Sequence, residues 1–208
     1  MMRMGLMLCV VVTLAFCGSR RAVPDGIAGI TWEPVGIGGG GGVFTPSISP
    51  HDEKLMFVAC DMGGWYRSTD GGATWRMCDG RQVRKVNLNA VFHPTDPNVV
   101  YVGTRGGIKR SSDRGKTWEH VAGEFNPANP DNVRALAIDP ANPSLILAGF
   151  DVFRGKDGSF LVVSTDAGKT WSVHPTWPFT DKSIRRILFD PASPADRRRI
   201  LVATSAGF

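Results

Sequence analysis

Three eight-residue segments of this 208-residue chain repeat one pattern, Ser-x-Asp-x-Gly-x-Thr-Trp: Ser68 to Trp75, Ser111 to Trp118 and Ser164 to Trp171. A repeat with a period of a few tens of residues constrains the fold strongly, because each copy must be one supersecondary unit that stacks on the next. The segment has the chemistry of a tight reversal. The Asp side chain accepts hydrogen bonds from nearby backbone N–H groups and holds the turn. The Gly supplies backbone angles that other residues adopt under strain. Thr and Trp are expected to begin the returning strand, with Trp packed between neighbouring sheets. Asp70, Asp113, Asp166, Trp75, Trp118 and Trp171 are therefore read as structural, since a residue present in every repeat is not a unique site.

The rest of each unit reads as strands. Upstream of the boxes lie apolar stretches ending near Pro: Val86 to Phe92, Val133 to Ile138 and Ile184 to Phe189, with Pro46 to Pro50 in the first unit. A second strand follows at Leu55 to Ala59, Val99 to Gly103, Leu145 to Gly149 and Ile200 to Ala203. Gly63 to Arg67 and Gly106 to Arg110 then lead into their boxes. No sustained helical period of apolar residues follows residue 20. The expected fold is all-β: a β-propeller of four-stranded antiparallel blades, about three blades plus the start of a fourth. Box aspartates are 43 and then 53 residues apart, and the extra length falls near Asp151 to Ser159, read as an enlarged loop of the kind that carries binding residues. Val202 to Phe208 aligns with Val102 to Ile108, so the chain stops before a fourth box. An incomplete propeller, part of a longer product, is the expectation, because an uncovered terminal blade needs a cap.

Arg3 followed by the apolar run Met4 to Phe16 predicts a secretory leader over residues 1–21 and a partial propeller over 22–208. Leu14-Ala15-Phe16-Cys17 faintly matches a lipid-attachment motif, and membrane association is expected only if Cys17 is lipidated. The formal charge of +5 falls to +2 without the leader, which holds Arg3, Arg20 and Arg21 and no acid, and that gives no argument for nucleic acid. Arg197-Arg198-Arg199 reads as a solvated loop. A Cys60–Cys78 bridge is not expected, because the two lie on non-neighbouring strands. No metal-ligand spacing or nucleophile triad emerges from His51, His93, His120 and His174, and no metal or other cofactor is expected.

One position breaks the repeat. Asp61, after the second strand of the first unit, aligns with Thr104, Phe150 and Thr204, so the fold does not need a carboxylate there. Around it stand Trp32-Glu33-Pro34-Val35-Gly36-Ile37, five glycines from Gly38 to Gly42, Val43-Phe44-Thr45-Pro46, and Cys60-Asp61-Met62-Gly63-Gly64-Trp65-Tyr66-Arg67. The eight-residue box resembles the Asp-box, or BNR repeat, of sialidases, sortilin-type receptors, Ycf48-type photosystem assembly factors and xyloglucan-cleaving glucanases. Residues 32–75 resemble more closely the opening of the xyloglucanase family, glycoside hydrolase family seventy-four. That family begins the first of two seven-bladed propellers with a Gly-rich stretch and a T-D-x-G-G-x-Y-R segment.

The resemblance implies that Asp61 is the catalytic base, with Cys60 in place of the usual Thr. It implies a secreted β-glucanase acting on a polysaccharide such as xyloglucan, whose acid comes from the second propeller. The chain by itself is then expected to hydrolyse nothing. Trp65 and Tyr66 are candidate sugar-stacking residues, and Trp177 and Phe179 are weaker ones. The five glycines are expected to permit close backbone approach near the cleft. The alternative is a non-catalytic Asp-box propeller that binds protein or glycan or assists assembly. A sialidase fits less well, because no arginine triad is recognisable.

Overall fold

Each Ser-x-Asp-x-Gly-x-Thr-Trp segment folds into the same hydrogen-bonded knot. In the computed structural model, which describes residues 41–62, 64–86, 88–123, 131–152, 159–178 and 182–207, Ser68 Oγ donates to Asp70 Oδ1 at 2.7 Å and accepts from Gly72 N–H at 2.9 Å. Thr74 closes the turn through its N–H to Oδ1 at 2.9 Å and its hydroxyl to Oδ2 at 2.5 Å. The corresponding bonds recur from Thr117 to Asp113 and from Thr170 to Asp166. The carboxylate role is as expected, but Ser and Thr are turn residues too. The returning strands start one residue beyond the Trp, at Arg76, Glu119 and Ser172.

These bonds hold the Asp70 and Asp166 carboxyls down at about 2, with the hydroxyl of Thr74 or Thr170 as the leading cause. A depressed carboxylate stabilises fully above its unfolded value of 3.8 and loses that contribution as pH falls through the folded value. The urea midpoint is therefore expected to drop between about pH 4 and pH 2. Asp70→Asn should flatten part of that slope; a midpoint level across this range would contradict the assignment.

Between the turns, the strands are as the apolar runs predict. Blade one contains β1 (Val43–Ile48), β2 (Met56–Cys60), β3 (Gly64–Ser68) and β4 (Arg76–Met77). Blade two contains β5 (Val91–Phe92), β6 (Val100–Thr104), β7 (Gly107–Ser111) and β8 (Glu119–Ala122). Blade three contains β9 (Asp131–Ile138), β10 (Ile146–Val152), β11 (Ser159–Ser164) and β12 (Ser172–Val173). These are three antiparallel four-stranded sheets in meander order, and β13 (Ile184–Phe189) pairs with β14 (Ile200–Thr204) as a two-stranded sheet. A short 3-10 turn, Ala195–Arg197, is the one helical element among the described residues. The architecture is all-β, an incomplete propeller. In blade three the extra length partly extends the strands, because β9 to β11 are longer than β5 to β7. The remainder of that enlarged loop, including Lys156 to Gly158, lies outside the described residues, as do the leader and Cys17.

Blade contacts also repeat. Phe57 on β2 packs on Trp118 in an edge-to-face pair, ring centroids 6.0 Å apart. A Cβ on Gly115 would lie 2.4 Å from the Phe57 ring. One blade on, Tyr101 donates its hydroxyl to Ala167 O at 2.9 Å and lies 3.1 Å from a Cβ built on Gly168. The box Gly thus serves twice, supplying the positive φ of the turn and leaving room for the ring of the preceding blade. Trp118 joins the core between blades one and two, and Trp171 the core between blades two and three. Trp75 is half-buried. The first strands β5, β9 and β13 line a common cavity of about 740 Å³, which places them innermost.

The arginine run departs from expectation. Arg198 is buried, its side chain 7% exposed, and its Nε donates to Asp139 Oδ2 at 3.0 Å. Arg199 pairs with Asp190. Arg197 and Arg199 are exposed, the latter with its side chain 70% exposed, so Arg198 alone departs from the solvated reading.

Candidate functional site

At one end of three of the sheets, the residue after the second strand donates its N–H to a carbonyl of the segment leading into the first. Asp61 bonds Gly42 O at 3.2 Å, Arg105 bonds Lys85 O at 3.3 Å and Ser205 bonds Ser183 O at 2.9 Å. In blade three Asp151 pairs with Asn132 at this level. Asp61, Arg105, Asp151 and Ser205 are therefore structural equivalents. The sequence alignment placed Thr104, Phe150 and Thr204 opposite Asp61; by register they match Cys60, one residue earlier. The physical reason is the hairpin turn. Cys60 pairs with Gly64 but Thr104 pairs with Gly107, so the first turn carries one extra residue and displaces an alignment anchored on the boxes.

The corrected register puts a second carboxylate, Asp151, at the equivalent position of blade three, where it accepts from the Ser183 hydroxyl and pairs with Arg134, so the distinction of Asp61 rests on its bonding and not on its residue type. Asp61 Oδ1 accepts the Gly42 N–H at 2.9 Å. In blade four the Ser205 hydroxyl accepts the Ser183 N–H at 3.2 Å in the same way. A serine oxygen therefore meets the local need of the fold, and the carboxylate adds a charge and a second oxygen. Among the described residues no hydrogen-bond donor reaches Oδ2 of Asp61. Gly41 sits against the carboxylate at φ 109°, and a Cβ there would lie 2.3 Å from Oδ1 and 2.7 Å from Met62 Cγ. Here glycine permits the close approach expected of the Gly-rich stretch; Gly38 to Gly40 and Trp32 to Ile37 lie outside the described residues.

Asp61 opens on a cavity of about 720 Å³, within the range of small-ligand sites. Phe44, Thr45, Ala59, Cys60, Met62 and Gly64 line it together with the basic stretch Arg84, Lys85, Val86, Arg105 and Arg134. Arg134 also pairs with Asp151 at 3.3 Å. Sequence reasoning missed this basic lining, because its members come from three separate elements. Asp151 was missed as an equivalent of Asp61 for the register reason given above. Among the described residues no group of His, Cys, Asp and Glu is arranged to hold a metal ion.

Trp65 and Tyr66 alternate across β3 and face opposite ways. Trp65 is 1% exposed and stacks on Phe57, centroids 5.4 Å apart and planes within 5°. It is core, not a sugar platform: Ala59 and Trp65 face blade two, and a ring buried there cannot stack on a sugar. Tyr66 is half-buried beside Val58 and Met77, on the opposite face of the blade. Neither residue lines the Asp61 cavity. Trp177 is half-buried and bonds Ser159 Oγ at 3.4 Å, and Phe179 lies outside the described residues. Cys60 and Cys78 are both thiols. Burial pushes the Cys78 thiol up to about 11, which leaves it inert, while Cys60 Sγ lies 3.9 Å from Asp61 Oδ1.

Stacked antiparallel four-stranded blades define a β-propeller. A family model described as Sortilin-Vps10: Sortilin, neurotensin receptor 3, matches residues 63–205, well over half of the chain. The chain belongs to the Sortilin-Vps10 family. It is also 33% identical over 168 residues to the xyloglucanase Xgh74A of Acetivibrio thermocellus, covering 71% of this chain and 19% of that one. It is 32% identical over 177 residues to a xyloglucanase of Hypocrea jecorina, covering 73% and 20%. The chain thus spans about a fifth of the length of these curated relatives. Among solved structures, an ancestral GH74 enzyme superposes with a TM-score of 0.60 at 23% identity, over 78% of this chain and 22% of that one. YCF48 from Cyanidioschyzon merolae superposes with a TM-score of 0.55 at 15% identity, over 79% and 48%. Both superpositions speak for the propeller fold.

Proposed function

We propose that this chain carries the base-bearing part of a secreted xyloglucanase-type glycoside hydrolase, with Asp61 as general base. The observation that supports this most is the surplus carboxylate oxygen. Oδ1 is fixed by Gly42, while Oδ2 is available at a cavity of ligand size. In an inverting hydrolysis, Oδ2 takes a proton from the water that attacks the anomeric carbon. A second carboxyl, roughly 6.5–9.5 Å from the first, protonates the leaving oxygen. Asp61 is the one carboxylate among the described residues lining the cavity, so the acid comes from elsewhere in the full-length protein. Identity to xyloglucanases above 30% supports a β-glucan substrate. The apolar run Met4 to Phe16 after Arg3 supports secretion, and no helix among the described residues is long and apolar enough to cross a membrane.

The purified chain is expected to release no reducing ends from xyloglucan. Hydrolysis by the chain alone would overturn the division of the two carboxyls.

The second reading is a non-catalytic binding propeller. It is favoured by the span of the family match, which starts at residue 63 and leaves Asp61 outside. Loss or retention of hydrolysis in the full-length protein on replacing Asp61 separates the two.

A further inference from the structure

The lining around Asp61 is more basic than a neutral sugar requires. Arg84, Lys85, Arg105 and Arg134 line the cavity against the single acid Asp61. The lining stays net positive even with the Asp151 that pairs with Arg134 counted. Nor does the backbone at this level ask for a charge at Lys85. Lys85 and Arg105 share one backbone bond, and the same bond in blade four joins Ser183 and Ser205. A serine therefore satisfies the local backbone where blade two places Lys85. Arg84 and Lys85 are both exposed, and no acidic side chain among the described residues is paired with either.

Backbone strain gathers at the same place. Among the described residues four non-glycines hold positive φ: Thr45, Lys85, Arg114 and Ala167. Arg114 and Ala167 occupy the same position in two box turns, where Gly71 stands in the first. Thr45 (φ 53°) and Lys85 (φ 54°) instead both line the Asp61 cavity. A β-branched residue in that region is an outlier, and strain of this kind persists where the surroundings enforce it and clusters at ligand sites.

We infer that the Asp61 cavity takes an acidic saccharide, with the sugar carboxylate held by Arg84 and Lys85. The inference rests on the glycan reading given above and specifies its substrate class as uronic-acid-bearing β-glucan. Arginine and lysine suit this task, because a carboxylate accepts charge-assisted hydrogen bonds from both and forms a planar fork with Arg. The cations also offset the repulsion that Asp61 would exert on an anionic sugar ring.

The test uses a matched pair of probes: cello-oligosaccharides, and the β-1,4-linked glucuronic acid oligomers made by oxidising them. Binding to the chain is measured by titration calorimetry at low and high salt. The acidic oligomer is expected to bind about tenfold more tightly at low salt, as two exposed charge pairs would give. Added salt should erode that preference, and R84Q/K85Q should abolish it with the unfolding midpoint unchanged. Equal binding of both oligomers would overturn the acidic preference and leave the glycan reading standing. Binding of neither would overturn both. A preference unaffected by R84Q/K85Q would overturn the assignment to Arg84 and Lys85. Equally tight binding of a single-stranded oligonucleotide of the same charge would overturn it as well, as a general anion surface.

Discussion

Replacing Arg198 with Ala is expected to cost about 3–5 kcal/mol of folding stability, as does removal of one partner from a buried ion pair elsewhere. Its Nε meets Asp139 Oδ2 at 3.0 Å, and the two side chains are 7% and 2% exposed. Its Nη1 also caps Ser193 O at 2.6 Å and Asp190 O at 3.2 Å. Asp139 follows β9 in blade three and Arg198 precedes β14, so the pair fastens two sheets together. Truncation leaves a carboxylate buried without its counter-ion and the Ser193 carbonyl without its guanidinium donor. Arg198→Lys keeps the charge but not the planar fork and should lose an intermediate amount. Denaturant midpoints measure both. A loss below about 1 kcal/mol for the alanine variant would mark the pair as equivalent to an exposed one.

In the full-length protein, Asp61→Asn is expected to lower kcat on xyloglucan by about 10²–10⁴-fold, the range of a lost general base. The amide oxygen of Asn still accepts the Gly42 N–H, so the local bond of 2.9 Å survives while the base is removed. KM should change little, because a base acts on the transition state rather than on substrate binding. A rise in KM with kcat unchanged would place Asp61 among residues that only bind.

The blades were legible from the sequence because their chemistry is local. Ser68, Asp70, Gly72 and Thr74 lie within one turn, and every contact in the knot spans four residues or fewer. Asp61 read as an exception to the repeat only in the sequence alignment; paired strands set Asp151 opposite it in blade three. Its true equivalents were not legible, because one extra residue in a hairpin turn is invisible until strands pair. Trp65 was misplaced because a period-two strand fixes that Trp65 and Tyr66 part, not which of them faces the next blade. The basic lining was illegible for another reason. Arg84, Lys85, Arg105 and Arg134 meet only when blades stack, and nothing in their spacing joins them. Arg198 was hidden in a run of three arginines whose composition says solvent, while its partner Asp139 stands 59 residues away.

Position 61 supplies an acceptor oxygen to the Gly42 N–H, and the proposed chemistry needs a carboxylate there. The unaltered full-length protein and its Asp61→Asn and Asp61→Ser variants test both halves when unfolding midpoint and xyloglucan hydrolysis are measured on the same preparations. One shared midpoint is predicted for all three, since Ser205 already fills this role in blade four, with hydrolysis by the unaltered protein alone. Undiminished hydrolysis by the Asp61→Asn variant, or an Asp61→Ser variant that unfolds well before the others, would contradict it.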